Sequence, residues 1–196
     1  MAITRVKVTE RVAAPAEKVW DYLGAFNGLP KIMKGLVLKS EISQVSNVRR
    51  IQIAGVRKQL NERLLKLDNA KMTMTYEIVE EPNTPVPMYN YTSTIKVMAT
   101  SSRACNVEWS SSFEPKKGST KEECVGFATS VYAAGIEGTR KVLGLGAKKT
   151  KKKASPKAKA VTKKKASPKA KAVTKKKASP KAKATTKKKS NTKKKS

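Results

Sequence analysis

The last fifty residues of this chain set the limit on what it can fold into. From Ala147 to Ser196 there are 23 lysines and no acidic residue, arginine, aromatic or glycine. A twelve-residue unit, TKKKASPKAKAV, starts at Thr150 and again at Thr162. It returns as TKKKASPKAKAT from Thr174 and decays into shorter TKKK units at Thr186 and Thr192. Such a segment has too little apolar surface to offset the entropy of ordering it, so a disordered polycation is expected. The fold must be sought in residues 1–146, a length that suits one domain with a real core. Those residues hold 21 lysines and arginines and all 14 acidic residues, a net +7, so most of the formal +30 belongs to the tail.

Several chemistries are excluded by composition. The chain has no histidine, which removes imidazole acid–base catalysis, Ser-His-Asp and Cys-His nucleophiles, and His-ligated metals. Cys105 and Cys124 are its two cysteines; they make a poor zinc site and are expected as thiols, not as a disulfide. No carboxylate spacing suggests a metal, so neither metal nor cofactor is expected. No apolar run reaches the roughly 18 residues that span a bilayer. The N-terminal MAITRVKVTERV alternates polar and apolar residues, where a signal peptide is continuously apolar. An intracellular protein is expected.

Within 1–146 the periodicity changes twice. Ile3–Val12 reads as a strand, with Val6, Val8 and Val12 on one side. Pro15 suits the first helical position, and Val19, Trp20 and Leu23 would face inward from a short helix that Gly24 and Gly28 end. Pro30–Met33 suggests another helical turn. Six strands follow: Leu36–Ser43, Val48–Ile53, Leu60–Leu67, Met72–Val79, Tyr89–Val97 and Cys105–Phe113. Their alternation is what a sheet with one covered face requires. Residues 67–70 (LDNA) and 81–85 (EPNTP) carry turn chemistry. Thr120 and Glu123 then have capping-box spacing, and Val125, Ala128, Tyr132, Ile136 and Leu143 recur at helical intervals. Gly126, Gly135 and Gly138 are expected to let this helix approach the sheet, and Gly144 and Gly146 to end it. The predicted class is α+β: an antiparallel sheet wrapped around a long C-terminal helix.

The stretches VTERVAAPAEKVWDYLGAFNGLPKIM (8–33), NERLLKLD (61–68), MTYEIVEEPNTPVPMYNYTSTIKV (74–97) and VEWSSSFEP (107–115), with the final helix, resemble the START-type, SRPBCC helix-grip superfamily in its polyketide cyclase/dehydrase-like branch. The opening P-A-E-x-V-W element and the W-x-x-x-F-x-P strand end are the more specific parts. The resemblance spans roughly residues 3–143. It implies a cavity between sheet and helix that holds lipids, polyketides or other apolar molecules. Candidate lining residues are Phe26, Met33, Met72, Met74, Tyr76, Tyr91, Trp109, Phe127 and Tyr132; plain core packing is the alternative for each. Glu62, and Arg49 or Arg57, are candidate polar anchors. In an enzyme, Glu62 is the candidate general base, since a cyclase needs a buried carboxylate. An outward-facing glutamate is the plainer expectation.

The tail resembles the lysine-, alanine- and proline-rich tails of linker histones. Its candidate nucleic-acid contacts are Lys151, Lys152, Lys153, Lys157, Lys159, Lys163, Lys164, Lys165, Lys169, Lys171, Lys175, Lys176, Lys177, Lys181 and Lys183. Lysines neutralise phosphates without reading bases, so the expected partner is DNA bound without regard to sequence, or another polyanion. A nucleoid or nuclear location follows if DNA is the partner. Three functions compete: an apolar-ligand binder tethered to nucleic acid, a cyclase/dehydrase-like enzyme localised by its tail, and an architectural chromatin protein without ligand.

Overall fold

The computed structural model describes residues 3–43 and 45–146. The tail and its lysines lie outside the described residues. The elements run β1 (Thr4–Val12), α1 (Ala16–Leu23), α2 (Leu29–Ile32), β2 (Val37–Ile42), β3 (Val48–Ile53), β4 (Leu60–Asp68), β5 (Thr73–Ile78), β6 (Met88–Ser101), β7 (Ala104–Pro115) and α3 (Lys121–Val142). The seven strands form one antiparallel sheet in the order β1-β7-β6-β5-β4-β3-β2. Strands β2 to β7 are therefore a meander of chain neighbours. Strand β1 joins at the far edge, with Thr4 opposite Phe113 and Val12 opposite Cys105. This is the α+β architecture the periodicities predict.

Alternation explains how the sheet covers its inner face. Met74, Tyr76 and Ile78 of β5 are buried, as are Tyr91, Ser93, Ile95 and Val97 of β6 and Val107, Trp109, Ser111 and Phe113 of β7. Burying one large apolar side chain of this kind contributes about 1.5–3 kcal/mol. The phase fails at Met72. It sits in the β4–β5 turn at φ 47° and is only half-buried, so it packs on the rim of the core rather than inside it. The β6–β7 hairpin is longer than expected and turns at Ser102–Arg103.

Helix α3 begins with the reciprocal cap its sequence predicts. Thr120 accepts from the Glu123 amide (3.2 Å), and the Glu123 carboxylate accepts from the Thr120 amide (2.8 Å), which satisfies two amides that have no partner within the helix. At the other end Gly144 takes φ 69°. The Leu145 amide bonds the Arg140 carbonyl and the Gly144 amide that of Lys141, a Schellman closure that only a left-handed residue allows. The buried face is Cys124, Ala128, Tyr132, Gly135, Ile136, Thr139 and Arg140. Arg140 ties the helix end to β1 through Glu10 (2.5 Å) and the Arg11 carbonyl (3.0 Å).

The three helical glycines do different things. A Cβ on Gly135 would stand 2.6 Å from the Trp109 ring, so this glycine sets the approach to the sheet. At Gly138 the close neighbour is the backbone of α2 at Ile32, and Gly126 faces open space. In α1, Val19, Trp20 and Leu23 are buried as expected. Pro15 stands one residue earlier than expected, as the N-cap. The Trp20 indole donates to Asn69 (3.0 Å), pinning α1 to the β4–β5 turn.

Candidate functional site

Between the sheet and the first half of α3 lies a cavity of about 170 Å³. Ile51 and Ile53 of β3, Leu60 of β4, Ile78 of β5 and Met88 of β6 form its sheet wall. Met33, just after α2, and Phe127, Ala128 and Val131 of α3 face them, with Pro85 and Val86 of the β5–β6 connection. Glu62, Tyr76 and Tyr91 are the polar-tipped side chains of this lining.

Glu62 reaches the cavity because of its phase on β4. Leu60 and Glu62 are buried while Arg63 is exposed. The plainer expectation of an outward Glu62 therefore does not hold: the residue is 6% exposed. Its counter-ion comes from the neighbouring strand, where Arg49 is directly opposite in the pairing register. The guanidinium reaches Glu62 Oε2 through Nε (2.7 Å) and Nη2 (2.5 Å). Its Nη1 donates to the Phe26 carbonyl, and the group lies 4.2 Å from the Phe26 ring centroid. A buried carboxylate needs such a partner, since an isolated charge in this setting is very costly. Both contacts fall on Oε2, so Oε1 has no hydrogen-bond partner among the described residues. Arg57, the other candidate anchor, is exposed and takes no part in the cavity.

The aromatic residues form a hydrogen-bonded stack behind the lining. The Trp109 indole donates to the Tyr76 hydroxyl (3.2 Å) and to Ser93 Oγ (3.1 Å), and its ring stacks on Tyr132 at 5.0 Å. Tyr132 donates to Ser111 Oγ (2.5 Å) and lies 2.8 Å from the Tyr91 hydroxyl. Burial, and after it the Glu62 charge, push the Tyr76 phenol well above its ordinary value. Burial also pushes Tyr91 well above its ordinary value and raises Tyr132. All three phenols are therefore protonated at neutral pH.

Of the residues proposed from sequence, Met33, Tyr76, Tyr91 and Phe127 line the cavity, Phe127 remaining 40% exposed. Phe26, Met74, Trp109 and Tyr132 are buried but stand off the lining, in the packing that supports it. Met72 lies in the β4–β5 turn, away from it. Sequence reasoning missed the aliphatic wall of Ile51, Leu60, Ile78, Val86, Met88 and Val131. Its apolar alternation was visible, but nothing separated a cavity wall from a filled core. The arrangement offers one unshared carboxylate oxygen and two phenols in an otherwise apolar space. Chemically, it can orient a small molecule or accept a proton from one.

The comparisons with known proteins agree with this fold. An uncharacterized protein of Bacillus thuringiensis is 27% identical over 70% of this chain and 97% of its own, with a TM-score of 0.63. The protein XoxI of Bacillus cereus is also 27% identical, over 70% of this chain and 93% of its own, with a TM-score of 0.63. Truncated norcoclaurine synthase of Thalictrum flavum, 20% identical, shares the fold with a TM-score of 0.60 over 72% of this chain and 94% of its own. No curated protein matches the chain. The family profile that does match covers residues 4–144, so the chain belongs to the polyketide cyclase / dehydrase and lipid transport family.

Proposed function

We propose that the domain binds an apolar small molecule in the cavity under α3, and that the lysine repeats tether it to nucleic acid. The observation that carries the first part is the cavity itself: about 170 Å³, aliphatic on most sides, with a few polar tips. That volume is below the range for drug-sized ligands and close to that of engineered cavities that take up a single benzene ring. The ligand, or the part of it that enters, is ring-sized. Toluene titrated into the full-length protein is expected to shift the methyl resonances of Ile51, Ile78 and Val131 saturably. Val131→Phe fills the same space and should weaken binding about tenfold or more. If neither toluene nor benzyl alcohol moves those methyls in the unmodified protein, the cavity reading is wrong.

The second part rests on composition. With 23 lysines and no acidic residue in the last fifty positions, the segment matches a phosphate polyanion in charge and offers no arginine or aromatic to read bases. Engagement of about eight lysines predicts a slope near −7 in log K against log salt on duplex DNA. The full chain should show that slope, and a chain ending at Gly146 should lose most of the affinity. Equal binding by the two would reject the tether.

A further inference from the structure

The order of protons in the cavity wall defines what it can recognise. A phenol has a single proton to donate. Tyr132 gives its own to Ser111 Oγ, so the 2.8 Å contact with Tyr91 must use the Tyr91 proton. Tyr91, a residue of the lining, therefore has only lone pairs left to offer. Tyr76 is the opposite case. Its oxygen accepts from the Trp109 indole, and the neighbouring Ser93 hydroxyl gives its own proton to the Ser110 carbonyl, so among the described residues no acceptor holds the Tyr76 proton at hydrogen-bond distance. Glu62 Oε1 is an acceptor without a protein donor. The wall thus presents one free donor, Tyr76, and two acceptors, Glu62 and Tyr91.

The charge of the wall is equally specific. Glu62 is the one acidic or basic residue in the lining, and its charge is matched by Arg49, bonded to it from the side at 2.5 and 2.7 Å. The cavity carries no net charge. An ionic ligand would lose its hydration with no unmatched opposite charge to meet it. A hydrocarbon would leave the Tyr76 proton and Oε1 unpaired, and a buried polar group left without a partner weakens binding. A hydroxyl group both donates and accepts, and so answers Glu62 and Tyr76 together.

We infer that the ligand of this cavity is a neutral, ring-sized molecule bearing a hydroxyl group, which donates to Glu62 Oε1 and accepts from the Tyr76 hydroxyl. The inference rests on the binding function proposed above and adds its selectivity. Four probes of one shape test it on the full-length protein by calorimetry or NMR titration: benzyl alcohol, toluene, benzylamine and benzoate. Benzyl alcohol should bind about tenfold or more tighter than toluene, although toluene is the more hydrophobic. Both ionic probes should bind more weakly than the alcohol. Tyr76→Phe should remove most of the alcohol's advantage over toluene. Toluene equal to or tighter than benzyl alcohol overturns the inference and leaves the cavity reading standing. Tightest binding by benzylamine or benzoate overturns the neutral-ligand part. Silence from all four removes the binding function itself. The four-probe ranking on the unmodified chain decides the matter even if the variant fails to fold.

Discussion

Replacing Arg49 with methionine is expected to cost about 3–5 kcal/mol of stability, read from urea unfolding. Arg49 is 1% exposed and Glu62 is 6% exposed, so water cannot take over from the lost guanidinium. The variant leaves a buried carboxylate without its counter-ion and the Phe26 carbonyl without its donor. Methionine keeps an unbranched apolar stem in the buried space, so the loss measured is mainly that of the guanidinium, with its ion pair and its place over the Phe26 ring. Replacing both partners is a different experiment. In Arg49→Met/Glu62→Leu nothing charged remains buried, and such exchanges are often neutral or stabilising. The double variant should recover most of the stability. It should also lose the preference for an alcohol over toluene, because the acceptor has gone. A single variant that costs under about 1 kcal/mol would mean that the carboxylate is not held as described.

The second large effect is expected at Gly138. A Cβ there would overlap the Ile32 carbonyl, and this neighbour is backbone that no rotamer change can move aside. Gly138→Ala gains about 1 kcal/mol of helix propensity. It must also push α3 away from α2, and we expect a net loss of about 3 kcal/mol. Gly135→Ala meets the Trp109 ring at 2.6 Å. That ring is stacked and hydrogen-bonded, so a loss of about 1–2 kcal/mol is expected. Gly126 has nothing within 4 Å, and Gly126→Ala should stabilise by about 0.5–1 kcal/mol. Thermal or urea melts of the three variants give the ranking. Gly138→Ala as stable as the parent would show that the helices are not in this contact.

These residues also show how far the sequence could be read. The sheet was legible because β5 and β7 alternate with few breaks, and α3 because Thr120 and Glu123 stand at capping distance. The β6–β7 turn was not, because Ser102 and Arg103 carry no turn-favouring glycine or asparagine. Met72 fits the inward phase of β5 by count, yet it falls in the turn, where that phase no longer applies. The inward placement of Glu62 was half visible: Leu60, Glu62 and Leu64 share one phase of β4, and a charge in an apolar phase is the signal. What decides it is Arg49 standing opposite on β3. That pairing depends on strand register, which hairpin geometry sets and composition does not reveal. Phe26, Trp109 and Tyr132 were recognisable as inward-facing. Whether they stand on the cavity wall or one layer behind depends on packing in three dimensions.

The sheet order has a consequence for biosynthesis. Strands β3 to β7 each pair with the strand before them, so hairpins can form as the chain emerges. Strand β1 is made first, and its partner β7 is the last strand made. At about 5–20 residues per second, β1 spends seconds outside the ribosome with its amides and its Val6, Val8 and Val12 side chains uncovered. Of the seven strands, β1 waits longest for its partner, and its exposure ends only when the rest of the sheet is ready to receive it.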